Sequence, residues 1–298
     1  MFTSSRLSGL LRSAERVPLN DDSKFVFFSD CHRGDNSWAD DFANNQNLFA
    51  HALYMYNRDG FTYFELGDGD ELWENLRFEE IKRAHRNIFE LMSAFHKNNR
   101  LYLIWGNHNR KWKNSAKVEK HLSHYYDERD RQTKELFKGI KAHEGLVLHH
   151  SGTGKEILLA HGHQGDLLND YLWWVGRFIV RILWKPLQLI GFRDPTSPAR
   201  NFRKKEKVEK QITHWVLKGN HIICGHTHRS VFPDEGKAPY FNTGSCVHPR
   251  CITGIEIEKA EIKLIKWWIK AKDDGTLAAA KEELEPPRKL QDIFEAKQ

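Results

Sequence analysis

Cysteine is scarce in this sequence of 298 residues. Four cysteines occur, and no two of them form the CxxC pair of a zinc or redox motif. Their spacing also excludes a small disulfide framework, so we expect reduced thiols in a cytoplasmic protein. Residues 1–18 lack the continuous apolar core of a secretory signal, and we predict a short surface helix there.

A long apolar run free of charge is missing as well. The most apolar stretch is 171–192 (YLWWVGRFIVRILWKPLQLIGF), and Arg177, Arg181 and Lys185 lie near its middle. Because each central charge costs about 2.5–3.5 kcal/mol in a bilayer, a membrane span is excluded. Three alternatives remain for Tyr171 to Phe192: a helix at a lipid interface, a lid over an apolar substrate tail, or a cap packed on the domain or on a second subunit.

The sequence has no strong excess of one charge. Its formal net charge of +6 and pI of about 9.0 allow an anionic partner without requiring one. Basic residues concentrate in Arg200 to Lys210, where they form either a solvated helix face or a contact with anionic lipid headgroups. The length fits one large α/β domain or two small ones.

Short apolar strands alternate with helical segments along most of the chain. A helix is predicted over 81–95 from apolar residues at spacings of three and four, and further helices are expected over 42–56 and 115–137. Strands that are apolar throughout indicate an α/β sheet covered on both faces. Near the C-terminus, 240–245, 252–258 and 262–269 alternate as antiparallel strands do. The five apolar strand candidates are Phe25–Ser29, Phe61–Leu66, Leu101–Trp105, Glu156–Ala160 and His221–Cys224.

All five of these strands end in carboxylate, amide or imidazole side chains, most of them beside a glycine. Because the carboxyl ends of parallel strands lie along one edge of a sheet, we expect these groups to converge in space. Each ending alone is ordinary turn chemistry, but the ordered set of five predicts one shared polar site. The candidate metal ligands are Asp30, His32, Asp68, Asn107, His161, His226 and His228.

Seven donors are too many for a single zinc ion with an open position, and they suit two ions bridged by Asp68. Four imidazoles argue against Mg and Ca, which leaves Mn, Fe, Zn or Co, with Mn as our first expectation. Such a metal pair activates water and clamps a phosphoryl group. The first ion would be completed by Asp30, His32 and His228, and the second by Asn107, His161 and His226.

These blocks resemble the calcineurin-like metallophosphoesterases. The family pattern D-x-H, GD, GNH-[D/E], H and GH-x-H occurs in this order as SDCHRG, LGDGDE, WGNHN, LAHGH and CGHTH, over about 24–229. The resemblance implies a four-layer α-β-β-α sandwich that binds two metal ions. It also implies that His108 is not a ligand but contacts the phosphate, as a general acid or transition-state stabiliser.

One position departs from the family pattern. Asn109 stands where the family has an Asp or Glu that orients the histidine, so we expect His108 to be a hydrogen-bond donor or to be supported by another acid such as Asp70. Arg33 and Arg110 follow site histidines closely and are candidate phosphate contacts. His163 is a candidate substrate contact, with His161 preferred as the ligand.

Within the superfamily, the layout is similar to that of the UDP-2,3-diacylglucosamine hydrolases. The stretch GDGDELW (67–73) resembles their GD-x-x-[D/E]-x-W, and an apolar helical insert and a trailer like YFNTGSCVHPRCITGIEIE recur there. This resemblance implies pyrophosphate cleavage in a lipid-linked nucleotide by an enzyme held peripherally on the inner face of the membrane.

The predicted organisation has three parts. Residues 1–23 form an N-terminal extension, 24–270 the metallophosphoesterase domain with a helical insert at about 166–219, and 271–298 a C-terminal tail. Two other functions stay open: a nuclease or cyclic-nucleotide phosphodiesterase, which the basic balance allows, and a non-catalytic scaffold such as the family's retromer subunit. A scaffold predicts lost ligands, whereas all seven are present.

Overall fold

Residues 2–165 and 202–295 are described by a computed structural model. The predicted apolar segment Tyr171 to Phe192 and the first part of the predicted insert lie outside these residues. The helices of the described chain are α1 (Phe2–Ser13), α2 (Gln46–Arg58), α3 (Phe78–Ala84), α4 (Arg86–Lys97), α5 (Ser115–Leu122), α6 (Phe202–Val216) and α7 (Leu290–Glu295).

Sixteen strands lie within the same ranges, and most of them form two sheets. They are β1 (Glu15–Leu19), β2 (Phe25–Phe28), β3 (Thr62–Leu66), β4 (Leu101–Ile104), β5 (His124–Asp127), β6 (Gln132–Glu135), β7 (Ala142–His143), β8 (Gly145–His150), β9 (Glu156–Ala160), β10 (Ile222–Cys224), β11 (Ser230–Val231), β12 (Tyr240–Thr243), β13 (Cys251–Glu258), β14 (Glu261–Ala271), β15 (Leu277–Glu283) and β16 (Arg288–Lys289).

The first sheet has the order β15-β14-β13-β2-β3-β4-β7, with β16 also paired to β14, and the second has the order β1-β8-β9-β10-β12-β11. Strands β2, β3 and β4 run parallel to one another in the first sheet, and β9, β10 and β12 do so in the second. The candidate metal ligands follow the C-terminal ends of β2, β3, β4, β9 and β10, as predicted from the sequence.

Strand β2 is apolar throughout because both of its faces are covered. In β2, Phe25 and Phe27 pack between the two sheets, while Val26 and Phe28 pack against the helices α2 to α5. In the second sheet, residues such as Leu158 face α1 and α6 instead. The chain is thus an α-β-β-α sandwich, which confirms the predicted fold class.

Three local predictions need correction. The helix predicted over 81–95 is broken into α3 and α4 at His85, whose Nε2 lies 2.8 Å from Asp40 Oδ2 in a fully buried pair. Helix α5 ends at Leu122, and the rest of the helix predicted to reach Phe137 is mainly the β5–β6 hairpin, whose turn has Arg131 at φ 52°. Strand β12 pairs parallel to β10 and antiparallel only to the short β11.

Both terminal segments belong to the sandwich rather than lying outside it. Residues 1–23, predicted as an extension, contribute α1 and the edge strand β1, which pairs parallel with β8. Residues 271–298, predicted as a tail, contribute β15, β16 and α7, whose Leu290, Ile293 and Phe294 are buried between the sheets. Of the helices described, none is both long and apolar enough to cross a bilayer.

Candidate metal centre

The candidate ligands lie on loops that are tied to one another by main-chain hydrogen bonds. The His32 N–H donates to the Asp68 carbonyl at 2.8 Å, which fixes the loop after β2 against the loop after β3. The Gly225 N–H donates to the His161 carbonyl at 2.9 Å and fixes the loops after β9 and β10 in the same way. These bonds join four of the five loops into two pairs.

Five of the seven candidate ligands have left-handed backbone conformations. A non-glycine residue with positive φ costs about 1–3 kcal/mol and persists only where the surroundings enforce it. Such strain concentrates at functional sites, and here it occurs on the loops after β2, β3 and β10. The residues are Asp30 (φ 51°), His32 (φ 49°), Asp68 (φ 50°), His226 (φ 71°) and His228 (φ 54°).

Glycine is required where these loops approach the ligands. A Cβ atom added at Gly106 would overlap the Asp68 Oδ1 atom and lie 2.7 Å from the His161 ring. A Cβ atom at Gly225 would overlap Ser29 Oγ and crowd Asp30 Oδ2. The glycines beside the polar residues thus allow close packing of donor groups.

In each aspartate of the centre, one carboxylate oxygen accepts a hydrogen bond from a backbone N–H, and the other faces the imidazoles of the centre. Asp30 Oδ2 accepts a hydrogen bond from the His226 N–H at 2.8 Å, and Asp68 Oδ1 accepts one from the His108 N–H at 2.8 Å. The remaining oxygens, Asp30 Oδ1 and Asp68 Oδ2, face the imidazoles.

The donor atoms of the candidate ligands gather into two neighbouring groups. In the first, His228 Nε2 lies 3.2 Å and His32 Nε2 lies 3.7 Å from Asp30 Oδ1. The second consists of Asp68, His161 and His226, with His161 Nε2 at 3.0 Å from Asp68 Oδ2. Asp68 Oδ2 also lies 4.0 Å from His32 Nε2, so this oxygen stands between the two groups.

Several of the candidate metal-ligand atoms are buried without a hydrogen-bond partner among the described residues. His161 illustrates the cause: its Nδ1 donates to the Leu66 carbonyl at 2.9 Å, which leaves the lone pair of Nε2 directed into the centre. Buried polar atoms are otherwise almost always paired, so orphaned donors of this kind fit metal ions. They are Asp30 Oδ1, His32 Nε2, Asn107 Oδ1 and His161 Nε2.

The electrostatics keep both aspartates ionised. Burial by itself raises the pKa of Asp68, but the adjacent His161 and His108 overcome this effect and hold the pKa well below its ordinary value. Burial likewise opposes ionisation of Asp30, and His228 and His161 lower its pKa well below the usual range. Two carboxylates that stay charged while buried suit a site for cations.

His108 is held by a residue that the sequence interpretation did not select. Its Nδ1 lies 2.6 Å from Glu71 Oε2, and the same oxygen lies 2.7 Å from His32 Nδ1. The support expected from Asp70 is wrong, because Asp70 pairs with Arg33 and with the Trp112 indole. The only signal for Glu71 was its place in GDGDELW, three residues after Asp68.

Asn109 has a different task from the acid that it replaces. Its side-chain oxygen accepts a hydrogen bond from the Gly106 N–H at 2.6 Å and closes the loop that carries Asn107. The Trp73 ring stacks on His108 with centroids 3.9 Å apart and an interplanar angle of 18°. Glu71 and Trp73 together define the position of the imidazole.

The candidate phosphate contact Arg33 is not available to a substrate. Its side chain is 1% exposed and forms two hydrogen bonds with Glu65, at 2.6 and 2.9 Å. A further hydrogen bond, from its Nε to Asp70 Oδ1, is 3.0 Å long. The prediction that Arg33 contacts the phosphate is therefore wrong. Its guanidinium instead binds the buried carboxylates of Glu65 and Asp70.

The other two candidate substrate contacts lie beside the second donor group. His163 is completely buried, its ring centroid lies 5.6 Å from that of His161, and neither ring nitrogen has a partner within the described ranges. Burial lowers its pKa well below the usual value, so the ring is neutral. The Arg110 guanidinium lies 5.7 Å from the ring centre of Trp105, which in turn contacts His163.

Comparison with known proteins gives one strong match. The family described as calcineurin-like phosphoesterase matches residues 23–230, and no curated protein matches the chain. Among solved structures, a cold-active protein-tyrosine phosphatase of a psychrophile, Shewanella sp., is similar at 15% identity and a TM-score of 0.38, covering 88% of this chain and 81% of that one. Chaetomium thermophilum Vps29 is similar at 10% identity and a TM-score of 0.35, covering 88% and 96%. The family match spans all five loops of the centre.

Proposed function

Because the chain belongs to the calcineurin-like phosphoesterase family, we propose that it is a dinuclear metal enzyme that hydrolyses phosphodiester or pyrophosphate bonds. The observation that supports this proposal is the presence of two neighbouring groups of candidate ligands, Asp30, His32 and His228 in one and Asp68, His161 and His226 in the other. The seven candidate ligands would hold two divalent ions, Mn first and otherwise Fe, Zn or Co. Bound there, these ions would supply an activated water and neutralise charge on a phosphoryl group.

The chain's own groups orient the substrate in this proposal. Glu71 accepts a hydrogen bond from the Nδ1–H of His108, so Nε2 is the ring atom that remains to contact a phosphate oxygen, and the imidazolium form donates a hydrogen bond to it. Arg110 lies on the side of the second donor group, where it suits a contact with the rest of the substrate, whereas His163 is completely buried beside His161. Donors fixed in advance in this way stabilise developing charge without reorganising during the reaction.

For the substrate, we propose a lipid-linked phosphodiester or pyrophosphate, such as a UDP-diacylglucosamine-like molecule. The support is the likeness of GDGDELW to the lipid hydrolase motif and the apolar sequence of Tyr171 to Phe192, which suits a lipid tail or the membrane surface. Helix α6 adds basic charge with its polar face, while its Val208, Ile212 and Trp215 are buried. Peripheral attachment to a membrane belongs to the same proposal.

A nuclease or cyclic-nucleotide phosphodiesterase is the second candidate, because the basic net charge suits a polyanion. The same centre would serve either substrate. Assays with a lipid-linked nucleotide, single-stranded DNA and a cyclic nucleotide at equal concentration would separate these possibilities.

The first experiment measures metal content and hydrolysis in parallel. The purified protein is loaded with Mn, Fe, Zn or Co, its bound metal is counted by mass spectrometry, and bis-p-nitrophenyl phosphate and p-nitrophenyl phosphate are offered. We expect two ions per chain, cleavage of the diester, loss of metal and activity in Asp68→Asn, and slowed turnover with full metal in His108→Ala. Asp59→Asn, an exposed aspartate on the Arg58–Asp59 pair, is the matched control. A chain that binds no metal and cleaves neither ester would support the scaffold alternative.

A further inference from the structure

Trp73 contacts three parts of the candidate centre at once. Its indole stacks on the His108 ring, and its Nε1–H donates to the Asn107 carbonyl at 2.8 Å. Its backbone N–H donates to Glu71 Oε1 at 3.0 Å. The residue is 6% exposed and lies in the same segment as Asp68 and Glu71.

The Glu71 carboxylate alone does not define the orientation of His108. A single hydrogen bond to Nδ1 fixes one atom of the ring but leaves the imidazole free to tilt about that contact, because side-chain torsions next to planar rings have broad minima. The flat indole, at 18° to the imidazole, removes this freedom from one side. The edge of His32, with ring centroids 4.6 Å apart and planes at 85°, limits the ring from another.

The indole is itself held in place. Its N–H bond to the Asn107 carbonyl joins it to the backbone of the residue before His108, and its own backbone joins it to Glu71. Glu71, His108, Trp73 and Asn107 therefore form a closed ring of contacts. A shift of the indole would move the imidazole and not only the surrounding core.

We infer that Trp73 is a positioning residue for the phosphoesterase reaction, which sets the plane of the His108 imidazole so that Nε2 faces the transferred phosphoryl group. This inference rests on the proposed function. Misplacing a catalytic group by about 1 Å can cost about 10²-fold in rate, so the loss of the stacking surface appears in kcat and leaves KM nearly unchanged.

The test is a double-mutant cycle between Trp73 and His108 on the metal-loaded full chain. Trp73→Leu is expected to lower kcat for bis-p-nitrophenyl phosphate by about 10²-fold, since a misplaced group can cost this much. Trp73→Phe keeps a ring but loses the hydrogen bond from Nε1. It is expected to lower kcat by about 2–10-fold, which corresponds to one neutral hydrogen bond. In the His108→Ala background, Trp73→Leu is expected to have almost no further effect. Trp215→Phe is the control, because Trp215 is equally buried and donates through Nε1 to Ser8 Oγ at 2.9 Å in the opposite helical layer.

Two further readouts separate positioning from general damage. Bound metal is counted in every variant and is expected to match the wild type. Proton NMR of histidine-labelled, metal-free protein is expected to show the His108 ring signals, identified by their absence in His108→Ala, shifted upfield by the indole and restored to ordinary values in Trp73→Leu.

The outcomes discriminate between the two proposals. Equal losses from Trp73→Leu in the wild-type and His108→Ala backgrounds, loss of metal, or unshifted His108 signals would each overturn the role of Trp73 while leaving the phosphoesterase intact. If the wild type itself cleaves no phosphoester in any metal, the proposed function fails, and the positioning role falls with it.

Discussion

Replacement of Arg33 by methionine tests whether this residue supports the fold or contacts the substrate. The guanidinium lies 2.6 Å from one oxygen of Glu65, and its Nε lies 3.0 Å from Asp70 Oδ1. Both carboxylates are buried, and the guanidinium carbon also lies 5.2 Å from the ring centre of Phe89. Methionine keeps an apolar side chain near the phenylalanine but removes the positive charge.

The expected loss is large because, among the residues that the structure describes, Arg33 is the cation paired with both carboxylates. Breaking a buried ion pair by removing one partner costs about 3–5 kcal/mol, since the remaining charge is buried without compensation. At about 2 °C per kcal/mol for a chain of this size, the melting temperature should fall by about 6–10 °C. The diester KM should not change, because the side chain does not reach the centre.

The assay is thermal unfolding by fluorescence together with steady-state kinetics. Arg16→Met is the matched control, because Arg16 also pairs with a glutamate, Glu156 Oε1 at 2.8 Å, but its side chain is 48% exposed. Such surface pairs contribute about 0–1 kcal/mol, so its melting temperature should hardly move. An Arg33→Met protein with an unchanged melting temperature and a raised KM would refute this reasoning and restore Arg33 as a phosphate contact.

Three further changes test other parts of the structure. Glu71→Gln should lower kcat by about 10–100-fold, because a neutral amide holds the two imidazoles less firmly; unchanged kinetics would contradict this. Gly106→Ala should lose bound metal by mass spectrometry, because its Cβ would overlap Asp68 Oδ1, whereas Gly9→Ala, with open space around it, should keep its metal. Ile293→Ala should lower the free energy of unfolding, measured by urea titration, by about 2–5 kcal/mol, because α7 packs between the sheets. A negligible change would show that α7 does not contribute to the stability of the sandwich.

Most of the fold follows from the sequence because burial on both faces leaves a clear pattern. A strand such as Phe25–Phe28 is apolar at every position only when layers cover it on both sides, and this condition predicts a sheet covered on both faces. The four-layer sandwich was implied only by the family resemblance. The terminal segments gave no such signal. Strand β1 (ERVPL) is half polar as an edge strand of the second sheet, and α7 is only six residues long, so neither stands out until the sheets are assembled.

The helix predicted over 115–137 failed for a related reason. The segment was predicted to be helical, but Asp127 has tertiary contacts that a prediction from local sequence does not consider. Its carboxylate pairs with Arg86 from α4 and lies 2.6 Å from Lys134 across the hairpin. Tertiary partners of this kind override local propensity and are invisible to a periodicity argument.

In the candidate centre, the seven donor residues could be selected because each follows an apolar strand, whereas their backbone conformations could not. The left-handed φ of His32 turns the chain so that the next side chain, Arg33, points into the interior instead of toward the donors. Adjacency in sequence therefore gave the wrong role for Arg33. The partner of His108 was missed for the opposite reason, since Glu71 and His108 are far apart in sequence and meet only through the pairing of β3 with β4.

The stretch GDGDELW connects the buried Arg33–Asp70 pair with the candidate metal centre. Within six residues, Asp68 faces the donor groups, Asp70 holds Arg33, Glu71 binds two imidazoles, and Trp73 covers His108. The Arg33 N–H donates to the Gly69 carbonyl, and the Glu71 N–H donates to the Arg33 carbonyl, so the loops after β2 and β3 are joined on both sides of the guanidinium. Arg33 and Trp73 thus restrain one loop at two points, and Asp68, the proposed bridging ligand, lies on the same short segment. Damage to either residue should therefore reach the chemistry differently: through stability of the whole loop for Arg33, and through the orientation of one imidazole for Trp73.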